Sequence, residues 1–159
     1  MISRAPDETE ELGRRLGALL RAGDVVALKG ELGAGKTTLV RGVGQGLGIV
    51  DEITSPSFAL MHEYAGTPPL FHFDAWMAGR EALFLEGGGA EYLGGEGVAI
   101  VEWAERVEAY LPRPHLVCRL AHRSPEAREI RLTVEAGSRA DRAELERLRS
   151  IAEELGGSS

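Results

Sequence analysis

Apolar residues at Leu12, Leu16, Leu19 and Leu20 fall on one face of a helical period and predict a first helix, with Asp7 as its cap, Glu10 in capping-box position and Gly23 as its stop. The period then switches. Val25-Val26-Ala27-Leu28 is unbroken apolar chain, which predicts a buried strand over 24–29, and Leu39, Val43 and Leu47 return to helical spacing before Gly48. Residues 58–64 and 70–74 read as two strands, and Gly66-Thr67-Pro68-Pro69 between them predicts a hairpin. A second continuous apolar run, 98–101, ends at Glu102 and Trp103, and further strands are predicted over 116–120 and 130–134. The last helix shows Leu145, Leu148, Ala152 and Leu155 on one side, with Ser138 in position to cap it. Glycine dominates 75–97 around a short helical piece at 80–86, and this stretch is expected to be a mobile excursion. Strand and helix patterns in this succession predict an α/β chain.

Composition narrows the class. The 159 residues suit one core, so a single domain over 1–159 is expected, frayed at 154–159. Hydrophobic residues make up 43%, which excludes wholesale disorder, and no apolar run approaches the roughly 18 residues of a membrane helix. No secretory signal is read at the start, and Cys118 alone allows neither an intrachain disulfide nor an all-cysteine metal site, so a reducing, cytoplasmic setting is expected. The net charge of −7 argues against autonomous binding of DNA or RNA, whose affinity comes mainly from neutralised phosphates. A role near RNA is expected to need a partner.

Gly30-Glu31-Leu32-Gly33-Ala34-Gly35-Lys36-Thr37 is a complete G-x-x-x-x-G-K-[ST] phosphate loop, followed by Thr38 and set between a predicted buried strand and a helix. An anion of high charge needs many short donors and no side chains in the way. Gly30, Gly33 and Gly35 let successive N–H groups turn inward as a nest, and the helix start adds its own unpaired N–H groups. Lys36 supplies a mobile charge for the β and γ phosphates, and the Thr37 hydroxyl suits a bridging Mg²⁺. The bland alternative, a glycine-rich turn with an exposed lysine, is disfavoured by that context, and only Lys29 and Lys36 are lysines.

A magnesium nucleotide site also calls for a carboxylate at the carboxyl end of a neighbouring strand. Asp74 follows Phe71-His72-Phe73, and Glu102 follows Val98-Ala99-Ile100-Val101, the closer match to a Walker B element because all four preceding residues are apolar. Either acid can serve the metal or simply end a strand, and spacing does not choose. His72 alternates with Phe71 and Phe73 and reads as structural. Trp76 and Trp103, each soon after one of the acids, read as core or as shields of the site.

A GTPase reading falls, since the chain has no asparagine and no D-x-x-G. A small-molecule kinase stays open, although the Arg-rich lid of such kinases corresponds here to 75–97, which holds one arginine. In order, residues 30–38, Ser55-Pro56-Ser57-Phe58, His72-Phe73-Asp74 and Val101-Glu102-Trp103 resemble the TsaE (YjeE) family, bacterial ATPases required with TsaB, TsaD and TsaC to make threonylcarbamoyladenosine in tRNA. The resemblance implies a P-loop NTPase-like three-layer sandwich with a mixed, mostly parallel sheet flanked by helices. It also implies ATP with Mg²⁺ as ligands, weak intrinsic hydrolysis, and action on the TsaB–TsaD assembly, so that tRNA is met only through that complex. Carried onto this chain, it implies Thr37 and Glu102 as Mg²⁺ ligands or water organisers and Asp74 as a second acid near the γ phosphate. Residues 31–38 would surround the phosphates, 55–58 would form a switch-like loop, and the segment near Glu8 to Glu10, Glu8 above all, and Arg128 would touch the nucleotide. The chain departs from the family at Ser57, commonly Thr, at Ala75-Trp76-Met77, usually Leu-Tyr-Arg, and at Ala104, often Pro. Those departures bear on the partner-facing surface rather than on the ATP site.

Overall fold

The computed structural model describes residues 1–31, 33–56, 61–75, 78–137 and 141–156, without the side chains at 78, 79, 81 and 82. Expectations resting on Leu32, Ser57, Phe58, Trp76, Met77 and Ser138 lie outside the described residues. In chain order the elements are β1 (Ile2–Ser3), α1 (Pro6–Leu19), β2 (Val25–Gly30), α2 (Lys36–Gly46), β3 (Met61–Tyr64), β4 (Leu70–Asp74), α3 (Ala78–Glu86), β5 (Val98–Glu102), β6 (His115–His122), β7 (Arg128–Glu135) and α4 (Arg142–Glu154). Short 3₁₀ turns follow α3 and β5. Among the described residues no helix is long and apolar enough to cross a membrane.

The strands form one seven-stranded sheet in the order β1-β7-β6-β2-β5-β4-β3. The two unbroken apolar runs become β2 and β5, adjacent strands inside the sheet, as chain buried on both faces must be. The sheet is mixed but not mostly parallel. The pairs β6–β2, β2–β5 and β5–β4 are parallel, while β1–β7, β7–β6 and β4–β3 are antiparallel. Connection length explains the difference: only a few residues join β3 to β4 and β6 to β7, enough for a hairpin and too few for a crossover.

Alternation along the strands sorts side chains onto two faces. Val26, Leu28, Ile100, Leu116, Cys118 and Ile130 pack with α1, α2 and α4. Val25, Ala27, Phe73, Val101 and Val117 pack on the other side under Leu85 of α3 and Leu93, Val107 and Leu111. Helical segments therefore cover both faces. The glycine-rich 75–97 stretch, expected as a mobile excursion, is helical over much of its described length and gives Leu85 and Leu93 to this second core.

Local chemistry sets the helix ends. α1 begins at Pro6 rather than after an Asp7 cap, because proline at the first helical position needs no N–H partner, and the Ala5 side chain makes no cap. The Glu8 carboxylate reaches back to the Arg4 N–H, and Ser3 Oγ lies 2.7 Å from Thr9 Oγ1, which ties β1 to α1. α1 ends at Leu19, with Gly23 in the turn beyond it. α4 is capped by Asp141, which accepts from the Glu144 N–H at 3.1 Å.

α1 and α2 meet backbone against backbone. A Cβ on Gly13 would sit 2.3 Å from the Leu39 carbonyl oxygen, one on Gly17 2.3 Å from that of Val43, and one on Gly42 2.0 Å from that of Glu10. Only glycine permits this approach.

Candidate functional site

The glycine-rich loop leaves β2 at Gly30 and enters α2 at Lys36. Gly35, the residue before α2, has φ of 98°, a left-handed conformation that a side chain would oppose. Gly30 is glycine for another reason: a Cβ there would lie 2.7 Å from the Leu120 carbonyl oxygen on β6. No side chain caps α2, so the N–H groups of its first turn are available to a ligand in the loop. Ala34 is buried inside the loop, Thr37 and Thr38 are half-buried, and Glu31 is exposed.

Asp74 pairs in register with Glu102, and Glu102 with Leu28, so the two acids stand side by side at the carboxyl ends of β4 and β5. Strand alternation puts them on the face of Leu28 and Ile100, the face that carries α2. Both are buried, at 7% and 4% exposure, and each carboxylate is held by a neighbouring side chain. Ser55 Oγ donates to Asp74 Oδ2 at 3.2 Å, and His72 Nε2 lies 2.6 Å from Glu102 Oε2.

Lys36 is 6% exposed. Its Nζ donates to the Gly30 carbonyl oxygen at 2.8 Å and sits 3.6 Å from the centroid of the Trp103 ring. Burial holds its pKa below the ordinary lysine value, against the opposing pull of Glu102, Glu105 and Asp74. Trp103 has φ of 57°, and no other described residue except glycine has a positive φ. A bulky side chain in this region is strained and must be held there by its surroundings. Its ring packs against the second core, as a core reading expects, and is also a platform for the Lys36 and Arg106 cations.

Beside the loop opens a cleft of about 440 Å³, walled by Arg4, Pro6 and Thr9, by Gly33, Gly35 and Thr38, and by Arg128. That volume suits a small organic ligand. Arg128 reaches the cleft, and its Nη1 donates to the carbonyl oxygens of Ser124, Pro125 and Ala127. Glu8, expected on the same side, instead borders a separate groove with Asp7 and Glu11. Because α1 starts at Pro6, Glu8 is in the first turn with its carboxylate on the Arg4 N–H, while Thr9 turns inward.

A family model described as "Threonylcarbamoyl adenosine biosynthesis protein TsaE" matches residues 3–130. The chain belongs to the TsaE family. It is 40% identical over 129 residues to the "tRNA threonylcarbamoyladenosine biosynthesis protein TsaE" of Bacillus subtilis, which covers 80% of this chain and 80% of that one. The protein of the same name from Treponema pallidum is 43% identical over 111 residues, 70% of this chain and 82% of that one. The crystal structure of Bacillus subtilis YdiB matches with a TM-score of 0.77 and 33% identity, covering 98% of this chain and 91% of that chain.

The TsaE match contains the loop, both acids, Trp103 and Arg128, while α4 lies beyond it. Sequence reading missed Arg4 and Pro6 as walls of the cleft, and the contacts His72–Glu102 and Lys36–Trp103. Pro6 carried a signal, since proline marks a helix start that would have put Thr9 one turn in. The other contacts join elements far apart in the chain, and no local pattern announces them.

Proposed function

We propose that this TsaE-family chain is a cytoplasmic, P-loop NTPase-like protein that binds ATP with Mg²⁺, hydrolyses it weakly alone, and supports threonylcarbamoyladenosine formation in tRNA by acting on a TsaB–TsaD assembly. The observation that carries this reading is the convergence of the glycine-rich loop and Lys36 on two adjacent buried acids, Asp74 and Glu102. The neighbouring cleft gives the nucleoside a place within reach of the same loop.

Thr37, Glu102 and Asp74 offer the hard oxygen ligands that Mg²⁺ prefers. Among the described residues no cluster of three or more acidic, histidine or cysteine side chains could hold an ion unaided, so phosphate oxygens and water would complete its shell. When bound, Mg²⁺ would neutralise charge on the β and γ oxygens. Loop N–H groups bind the phosphates, and Lys36, moved off the Gly30 carbonyl, stabilises charge on the transferring phosphoryl group. Glu102 and Asp74 orient the attacking water, and the products are ADP and phosphate.

The test is ATP turnover with and without the cognate TsaB and TsaD. Strong stimulation by the pair supports an assembly-linked ATPase. Phosphate transfer to a metabolite in the absence of partners would favour a small-molecule kinase, and no turnover under either condition would sink both.

A further inference from the structure

His72 is fully buried in the middle of β4, at a position that pairs with Ile100 and that the apolar pattern would fill with an aliphatic residue. Its Nε2 makes a 2.6 Å contact with Glu102 Oε2, while its Nδ1 has no hydrogen-bond partner among the described residues. An aliphatic side chain would fill the same space without leaving a buried ring nitrogen unpartnered, so the contact with Glu102 is what the ring adds. The carboxylate is the polar group that the ring engages. A carboxylate oxygen accepts, so the ring's Nε2–H is the donor of this contact.

We infer that His72 is a positioning residue for Glu102. By tying one carboxylate oxygen, it fixes the side-chain rotamer and leaves the other oxygen for the nucleotide's metal or water. The contact parallels Ser55 on Asp74, where a neighbouring side chain also holds a carboxylate oxygen. Outer-shell donors of this kind orient ligands and keep them basic. The inference rests on the reading of Glu102 as a nucleotide-side acid.

Two measurements on the full chain test it. In the nucleotide-free protein, ¹⁵N-resolved NMR should show the His72 ring as the Nε2–H tautomer with a slowly exchanging proton; an Nδ1–H tautomer would overturn the proposal without any variant. In partner-stimulated turnover, His72→Leu should lower kcat by about ten- to a hundredfold with KM changed less than about threefold, and His72→Gln, whose amide can still donate, should recover most of the loss. Adding His72→Leu to Glu102→Gln should cost no further activity. Normal kcat in His72→Leu beside an impaired Glu102→Gln would sink the positioning role and spare the site. Normal kcat in Glu102→Gln would sink the site and the positioning role with it.

Discussion

Lys36 holds its ammonium group on a carbonyl of its own loop and against the Trp103 ring, a waiting position from which it can turn to an anion. Hydrogen bonds to charged groups are worth about 1.5–3 kcal/mol. Lys36→Ala is therefore expected to weaken ATP binding by roughly ten- to a hundredfold in calorimetric titration, with circular dichroism unchanged. Wild-type affinity in a folded variant would remove the loop from the site. His115 makes a different prediction. It is buried with Nδ1 donating to the Pro112 carbonyl at 2.9 Å, and desolvation lowers its pKa below the ordinary 6.5 despite that bond. The unfolded chain then takes up the proton first, so this contribution to stability is present above 6.5 and is lost as the pH falls from there through the folded value. His115→Asn, which keeps a donor near Nδ1, should flatten the decline in melting temperature as the pH falls below 6.5, and an unchanged slope would assign the decline to other groups.

The contact between α1 and α2 makes the sharpest prediction at the scale of elements. Alanine normally strengthens a helix by about 1 kcal/mol over glycine. At Gly42 a Cβ would meet the Glu10 carbonyl oxygen at 2.0 Å, so overpacking should win and Gly42→Ala should lose about 1–3 kcal/mol in urea unfolding. A stabilised variant would mean that the helices part freely. This contact also shows what the sequence could not reveal. Glycine inside a helical pattern reads as weak propensity, and its spacing acquires meaning only once the opposing helix is known. The apolar periods sufficed for α1, α2, α4, β2 and β5, whose buried faces are written in local order. β1 is two residues long and has no period, and β6 and β7 outrun their apolar centres because Ala121 and His122 continue the ladder with Glu129 and Arg128, where no buried face marks the strand. The site divides in the same way. The loop, Asp74 and Glu102 were legible because each is a local motif, whereas Arg4 in the cleft with Arg128 and Trp103 over Lys36 depend on packing between distant segments.

At the scale of the whole molecule, 25 acidic against 18 basic side chains, a net charge of −7, oppose the exchange of counterions on an RNA backbone. The isolated chain should bind tRNA weakly and lose that binding as salt rises, while its association with TsaB–TsaD, followed by light scattering, should differ between ATP, ADP and no nucleotide. Equal affinity in all three states, or tight salt-resistant binding to tRNA alone, would overturn the partner-mediated reading. The glycine contact between α1 and α2 then constrains how such a signal leaves the protein. α1 begins at the cleft and α2 at the glycine-rich loop, so two walls of the proposed pocket are welded into one stiff jaw. Loss of a phosphate has to be registered by the opposite jaw, where β4 and β5 end in their acids and Ser55 reaches across. Hydrogen exchange compared between the ATP and ADP states should therefore change at 51–56 and at the ends of β4 and β5 while α1 and α2 stay silent; the reverse pattern would put the moving jaw on the wrong side.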